Sequence, residues 1–251
     1  MPYCEIQGVN IGYQTSGSPD KGQTILFVHG AAGNASRWEK QLEEFKKEHY
    51  GIAIDLPGHP PSEGQVCDQI FLYREWVKEF ALTMGLTEFV LAGHSMGGGI
   101  AMDYALVYPD EVKALLLVGT AAKFHIPKER IDAMKQGKYD PASAKTSFSP
   151  SVDLDLLERF MKESAEMDPM IRYTDLVACN RYKERGIEKI QCPTLVICGK
   201  DDQGTTPEDS KHIVSRIEES KLSLIDDAGH YVMMEQPEPV NKDISAFLNS
   251  L

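Results

Sequence analysis

Residues 89–102, which read FVLAGHSMGGGIAM, are the stretch that decides the fold. A short apolar run leads into Gly-x-Ser-x-Gly and then into small residues at helical spacing. This pattern predicts a strand, a sharp turn and a helix, with Ser95 on the turn. Gly93 and Gly97 leave room for close backbone approach beside it. The pentapeptide alone would recur by chance, but the flanking strand and helix indicate a nucleophilic serine rather than an ordinary glycine-rich turn.

Further strands are predicted on both sides of this stretch, and helical patterns alternate with them. Residues 3–15 alternate loosely, as in an opening hairpin. Continuous apolar runs are typical of strands buried on both faces of a parallel sheet, and their alternation with helices favours an α/β fold covered on both faces. These runs are residues 24–28, 51–55, 112–118, 193–199 and 221–225.

Several of the predicted helices have recognisable ends. Residues 36–39, SRWE, have capping-box spacing and predict a helix that buries Trp38, Leu42 and Phe45. The helical pattern over 68–84 ends at Gly85. Residues 206–209, TPED, and Pro237 are typical of helix starts.

The alternation breaks after residue 119. Between 121 and 186 there are helical segments and turn residues but no convincing strand. An insertion of this length between two sheet strands predicts a separate helical layer, which we interpret as a cap. The expected division is therefore a core of residues 1–120 and 187–251 with a helical cap of residues 121–186.

Charge and cysteine content exclude several classes of protein. Lys plus Arg number 26 against 38 Asp plus Glu, a net charge of −12, which argues against nucleic acid or an anionic membrane surface as partner. The five scattered cysteines form no Cys-x-x-Cys pair, so reduced thiols are expected rather than disulfides or a zinc site. Neither a signal-peptide pattern nor a membrane-length apolar run is found, and a cytoplasmic protein is expected.

A serine nucleophile requires a base and a group that orients the base. Of the seven histidines, His230 alone follows both the Ser95 turn and an acid-bearing strand end, so it is the predicted base. His94 should point away from Ser95, and His29 and His59 are expected to make structural hydrogen bonds. The remaining three, His49, His125 and His212, lie in polar stretches and are expected to be exposed.

Two adjacent acids are candidates for orienting the base. Asp201 and Asp202 follow the apolar run that ends at residue 199, although paired acids at a strand end are also common turn residues. Asp226 and Asp227 are too close to His230 along the chain to hold its ring easily. The residues alone leave Asp201 and Asp202 as alternatives.

An oxyanion needs two backbone N–H donors. Met96, directly after the nucleophile, is expected to supply one of them at the start of its helix. The loop after the strand at 24–28 is expected to supply the other, with Ala31 favoured.

Taken together, these motifs resemble the α/β-hydrolase superfamily nearly end to end. They are HGAAG at 29–33, DLPGH at 55–59, GHSMGG at 93–98, GKDD at 199–202 and DAGH at 227–230. The resemblance implies a mostly parallel eight-stranded sheet, and it favours Asp202 over Asp201 as the acid of a triad with Ser95 and His230. Pro60 is a departure, because the family usually has glycine there, so this loop should be stiffer.

The resemblance implies a serine hydrolase that cleaves a carboxylic ester or a similar small acyl substrate without a metal or organic cofactor. C–C bond or enol-lactone hydrolysis in aromatic catabolism, and non-catalytic binding of a small molecule under the cap, are the alternatives. Apolar cap side chains are expected to form cap core rather than an acyl pocket. Lys123, His125 and Lys128 near the cap entrance are interpreted as a solvated basic face rather than as a site for a substrate carboxylate.

Overall fold

The central sheet has eight strands in the computed structural model, which describes residues 2–183 and 186–251. In spatial order the strands run β1-β2-β4-β3-β5-β6-β7-β8. The β1–β2 and β2–β4 pairs are antiparallel, and every pair among β3 to β8 is parallel. The sheet is therefore mostly parallel, as predicted. The strands are β1 (Tyr3–Ile6), β2 (Val9–Ser16), β3 (Thr24–Val28), β4 (Tyr50–Ile54), β5 (Phe89–His94), β6 (Val112–Val118), β7 (Thr194–Gly199) and β8 (Ser220–Ile225).

Helices cover both faces of the sheet because alternate strand residues point to opposite sides. In β3, Leu26 and Val28 pack in one apolar cluster while Ile25 and Phe27 pack in the other. The first cluster includes residues of α2, α3 and α7, and the second includes residues of α1, α8 and α9. These helices are α1 (Glu39–Phe45), α2 (Ile70–Thr83), α3 (Met96–Val107), α7 (Pro207–Arg216), α8 (Val232–Glu235) and α9 (Pro237–Leu248).

Between β6 and β7 the described residues contain helices and no strand. They form α4 (Lys128–Lys135), a 3-10 segment (Pro141–Ser147), α5 (Leu154–Glu166) and α6 (Pro169–Arg181). The predicted cap boundaries also include Glu184 and Arg185, which lie outside the described residues, and the division into core and cap stays a prediction. No helix of the described chain is long and apolar enough to cross a membrane.

One predicted helix start is wrong. The segment begins as a 3-10 turn at Ala35–Trp38, and the side chain of Asn34 accepts the amide of Ser36 at 3.0 Å. The capping box expected at residues 36–39 is therefore absent, and α1 begins only at Glu39. The apolar face was predicted correctly, since Trp38, Leu42 and Phe45 are buried.

Candidate active site

Ser95 lies on a tight turn between β5 and α3. Its backbone adopts φ 53° and ψ −118°, a conformation that few non-glycine residues take. A Cβ on Gly93 would overlap the carbonyl oxygen of Gly97, and one on Gly97 would overlap that of Val28. The turn therefore depends on both glycines, and the strand, turn and helix follow one another as the sequence predicts.

The structure brings Ser95, His230 and Asp202 together. The Ser95 hydroxyl lies 3.0 Å from Nε2 of His230, and Nδ1 of His230 lies 2.9 Å from Oδ2 of Asp202. With Nδ1–H donating to the carboxylate, Nε2 is free to accept the serine O–H. The backbone of His230 is also anchored, because its amide N–H donates to the carbonyl of Ser147 at 2.8 Å.

Asp202 rather than Asp201 faces the histidine. Asp202 is 3% exposed and accepts the amides of Gly204 and Thr205 at 2.8 and 3.0 Å. Burial raises the pKa of Asp202, but His230 and the two amides outweigh burial and hold that pKa below its usual value. Asp201 instead accepts the hydroxyl of Ser149 at 2.7 Å.

Thr205 was not predicted. Its hydroxyl donates to Oδ2 of Asp202 at 2.9 Å and lies 3.2 Å from Nδ1 of His230. Its position three residues after an acid is the only signal in the sequence, and many loop threonines have it. Thr205 contributes to holding the carboxylate in line with the histidine ring.

His94 turns away from the Ser95 hydroxyl, as predicted. Its Nε2 lies 2.9 Å from the carbonyl oxygen of His230, so the His94 ring helps to hold the backbone of the loop that carries His230. Burial, followed by the neighbouring His230, lowers the pKa of His94 to about 3. His94 is therefore neutral at physiological pH and donates through Nε2.

The two predicted oxyanion donors lie at the expected ends of their elements. Ala31 lies in the loop after β3 and lines the cavity above Ser95. Its amide has no hydrogen-bond acceptor among the described residues. Met96 is the first residue of α3, so its amide belongs to the unpaired N-terminal donors of that helix.

The loop that carries Ala31 is anchored by Asp175, which the sequence did not indicate. Asp175 lies on α6, is fully buried, and accepts the amide of Ala32 at 2.7 Å and the hydroxyl of Tyr73 at 2.5 Å. It also lies 2.8 Å from Nε2 of His59. These contacts join α6, α2 and the loops after β3 and β4 at one carboxylate.

His59 has an acceptor oxygen facing each of its two ring nitrogens. Nδ1 lies 3.2 Å from the carbonyl of Pro57 and Nε2 faces Asp175, and both partners are acceptors. Burial lowers the pKa of His59, but the Asp175 carboxylate outweighs burial and raises it above the usual value. His29, as expected, is also structural: its Nε2 accepts the Leu56 amide at 3.0 Å.

A cavity of about 350 Å³ opens above Ser95 and His230. Its wall includes four basic side chains that lie outside the segments of the proposed triad: Arg37, Arg130, Arg172 and His125. Lys123 and Lys128, in contrast, are exposed and lie outside the wall. Lys123, His125 and Lys128 are therefore solvated, as expected, although His125 also borders the cavity. The arginines in the cavity wall were not predicted.

The predictions for the remaining histidines and for the apolar cap side chains are only partly correct. His125 and His212 are exposed as predicted, but His49 is buried, and its Nδ1 accepts the amide of Gln23 at 3.0 Å. Phe148 and Phe160 form a small apolar cluster, as expected of cap core, whereas Phe124 lines the cavity.

All five cysteines are free thiols. Cys179 lines the cavity, and burial raises its pKa well above the usual value. Burial likewise raises the pKa of Cys67 and Cys198 to about 12 and that of Cys192 to about 11, and it raises that of Cys4. Among the described residues, no group of three or more His, Cys, Asp or Glu side chains is arranged to hold a metal ion.

Known proteins resemble the chain over nearly its whole length. A hydrolase of (E)-2-((N-methylformamido)methylene)succinate from Acinetobacter baylyi is 29% identical over 246 residues, 92% of each chain. The human monoacylglycerol lipase ABHD6 is 25% identical over 99% of this chain and 82% of its own. An enol-lactonase structure from Burkholderia xenovorans LB400 superimposes with a TM-score of 0.91 at 20% identity, covering 99% of this chain and 100% of the other, and supports the fold alone.

The match to a family is direct. The pattern of the alpha/beta hydrolase family covers residues 25–243, which include every strand from β4 to β8 and all the candidate site residues. The observed sheet order, with its antiparallel first strands, agrees with that match. The chain therefore belongs to the alpha/beta hydrolase family.

Proposed function

We propose that the protein is a serine hydrolase that cleaves carboxylic esters of small acids through Ser95, His230 and Asp202. The hydrogen-bonded series from the Ser95 hydroxyl through His230 to Asp202 carries the proposal, since it joins a nucleophile, a base and an orienting acid at the floor of a cavity. The lipase name of one relative and the hydrolase name of the other support hydrolysis of an acyl substrate.

The reaction proceeds in two halves. Ser95 Oγ attacks the ester carbonyl carbon while its proton passes to Nε2 of His230. The amides of Ala31 and Met96 hold the negative charge on the former carbonyl oxygen. His230 then protonates the departing alkoxide, which leaves an acyl group on Ser95.

Water completes the cycle. His230 takes a proton from a water molecule as the water attacks the acyl carbon, and then returns that proton to Oγ of Ser95 as the acid leaves. Asp202 keeps Nδ1 protonated throughout, so that Nε2 is the nitrogen that exchanges protons.

The helical segment between β6 and β7 serves as a cap in this proposal. It contributes Phe124, Arg130 and Arg172 to the cavity wall, while Ser147 receives the amide of His230. The cap therefore both encloses the substrate and supports the base. A cytoplasmic location, where thiols stay reduced, belongs to the same proposal.

Covalent labelling with a fluorophosphonate probe tests the assignment of the nucleophile. The wild-type protein should bind one probe per chain, located on Ser95 by peptide mass spectrometry. Ser95→Ala should lose the label and on the order of 10⁶ in kcat on a short-chain ester. Ser147→Ala removes a second cavity hydroxyl and should still label. A folded wild-type protein that does not label would contradict the proposal.

A further inference from the structure

The cavity above Ser95 has a wall of one charge sign. Three guanidinium groups, those of Arg37, Arg130 and Arg172, lie in that wall, and no Asp or Glu of the described chain does. Acidic residues outnumber Lys and Arg by 38 to 26 in the sequence, so composition alone predicts the opposite sign. The positive wall is therefore a local feature of this site.

Among the described residues, two of the three guanidinium groups have no carboxylate partner. Among the described ion pairs, Arg74 and Arg181 each meet a carboxylate, whereas Arg130 and Arg172 meet none. Arg37 does pair with Glu163 at 2.6 Å, but that carboxylate lies on α5 and is not in the cavity wall. An excess of positive charge thus remains beside the cavity.

Arg172 is held in a fixed position by its neighbours. Its guanidinium lies 3.9 Å from the centre of the Tyr139 ring and donates to the hydroxyl of Ser164 at 2.8 Å. The Tyr139 hydroxyl lies 2.6 Å from the same Ser164 oxygen. A charged group fixed in this way loses little conformational freedom when it binds an anion.

All three arginines influence the same side chain next to the base, that of Tyr231. Tyr231 follows His230 and lines the cavity. Burial raises the pKa of Tyr231, and the charges of Arg37, Arg172 and Arg130 each oppose that effect. All three guanidinium groups are therefore close enough to one cavity side chain to influence its ionisation.

We propose that the substrate carries a carboxylate in addition to its scissile ester, and that Arg130 and Arg172, assisted by Arg37, bind this carboxylate. Guanidinium groups match the planar carboxylate through paired N–H donors. The volume of about 350 Å³ lies near the lower end for ligand pockets. Half-esters of short dicarboxylic acids, and lactones that bear a carboxylate, fit this charge and size. The inference rests on the proposed ester hydrolysis.

Three esters of matched length test the proposal. Monoethyl adipate ends in a carboxylate, ethyl hexanoate ends in a methyl group at the same position, and ethyl 6-aminohexanoate ends in an ammonium group. Ethanol release gives kcat/KM for each. We expect the anionic ester to exceed the neutral one at least about tenfold, as charge-assisted hydrogen bonds predict, and the cationic ester to be the poorest. Equal values for the anionic and neutral esters would overturn the proposal.

Variants identify the groups responsible. Arg130→Gln and Arg172→Gln should each lower the ratio of anionic to neutral kcat/KM by about tenfold, and Arg130→Lys should restore part of it. Lys128→Gln is the matched control, because Lys128 lies on the same helix α4 but outside the cavity wall; it should leave the ratio in place. An Arg130→Gln ratio equal to that of the control would contradict the assignment.

A binding experiment separates this inference from the proposed reaction. If none of the esters is cleaved, ester hydrolysis fails, and calorimetry with adipate then decides the inference alone. Adipate that binds the wild-type protein and binds Arg130→Gln at least about tenfold more weakly supports it. Absence of adipate binding, or equally tight binding of inorganic phosphate, would overturn carboxylate recognition.

Discussion

Asp201 and Asp202 are neighbours in the chain, yet their carboxylates have different surroundings. Asp202 faces Nδ1 of His230 and accepts two loop amides, whereas Asp201 accepts the hydroxyl of Ser149. The difference arises because the loop after β7 wraps around the Asp202 carboxylate. Sequence patterns place both acids at that strand end, but only the loop geometry decides which one meets the histidine.

Exchanging each acid for its amide tests this distinction. Asp202→Asn should lower kcat by on the order of 10⁴ with little change in KM, because the amide no longer favours the tautomer of His230 that has Nδ1 protonated. Asp201→Asn, one residue away, should stay within a few-fold of wild type. Steady-state kinetics on one ester measures both variants, and similar losses in the two would refute the role of Asp202.

Residues with local signatures could be predicted, and residues defined by distant partners could not. Ser95 and His230 follow buried strands in recognisable motifs, and the structure brings them together. Asp175 has no such signature, since it lies within a helix and its partners Ala32, His59 and Tyr73 are more than 100 residues away in the chain. Contacts of this kind are fixed by tertiary packing.

At the scale of elements, α6 is tied to the loops that form the site. Asp175 on α6 receives the Ala32 amide, and Ala32 itself has φ 51°, an unusual conformation for alanine. Because Ala31 precedes it, the orientation of the proposed oxyanion donor depends on a helix of the inserted segment. The apolar periodicities predicted the strands well, whereas the first helix start failed because its 3-10 turn uses Asn34 instead of a capping box.

Asp175→Asn should weaken both stability and catalysis. Removing one charge from the buried pair should lower the free energy of unfolding by about 3–5 kcal/mol near pH 6, and kcat should fall more than KM changes. The raised pKa of His59 adds stability that is complete below its unfolded pKa of about 6.5 and is lost as pH rises through the folded value. The loss should therefore shrink at higher pH.

Urea unfolding of wild type and variant at several pH values from 6 to 9 measures this trend. Asp168→Asn is the control on the same helix, since Asp168 is an exposed N-terminal cap and asparagine caps equally well. A pH-independent difference for Asp175→Asn would show that His59 does not depend on it.

For the whole molecule, the buried carboxyl group of Asp55 is a second source of pH-dependent stability, besides the His59–Asp175 pair. Asp55 is 1% exposed; one of its oxygens accepts the Ala35 amide, and the other, Oδ2, has no partner among the described residues. Burial raises its pKa to about 6, although the amide acts in the opposite direction. The folded chain therefore holds a proton that the unfolded chain releases near pH 4.

Asp55→Asn should remove this dependence. The contribution of Asp55 to wild-type stability should fall as pH rises from about 4 to 7, by about 3 kcal/mol at most, since each pKa unit corresponds to about 1.4 kcal/mol. Asparagine still accepts the Ala35 amide but carries no charge. The free energy of unfolding of the variant should therefore rise relative to that of wild type as pH increases across this range. Chemical denaturation at several pH values measures this difference, and Asp132→Asn is the control because Asp132 is exposed. Parallel curves of unfolding free energy against pH for wild type and Asp55→Asn would contradict the expectation.

Four of the five thiols are buried and that of Cys192 is half-buried, which has a practical consequence for chemical biology. Their raised pKa values keep them protonated at neutral pH, and a protonated thiol is a poor nucleophile. Even Cys179, inside the cavity, should therefore react slowly with iodoacetamide or maleimide while Ser95 remains available to phosphonylating reagents. Activity-based profiling of this chain should give a serine signal with little cysteine background, and pretreatment with a thiol blocker should leave that signal intact.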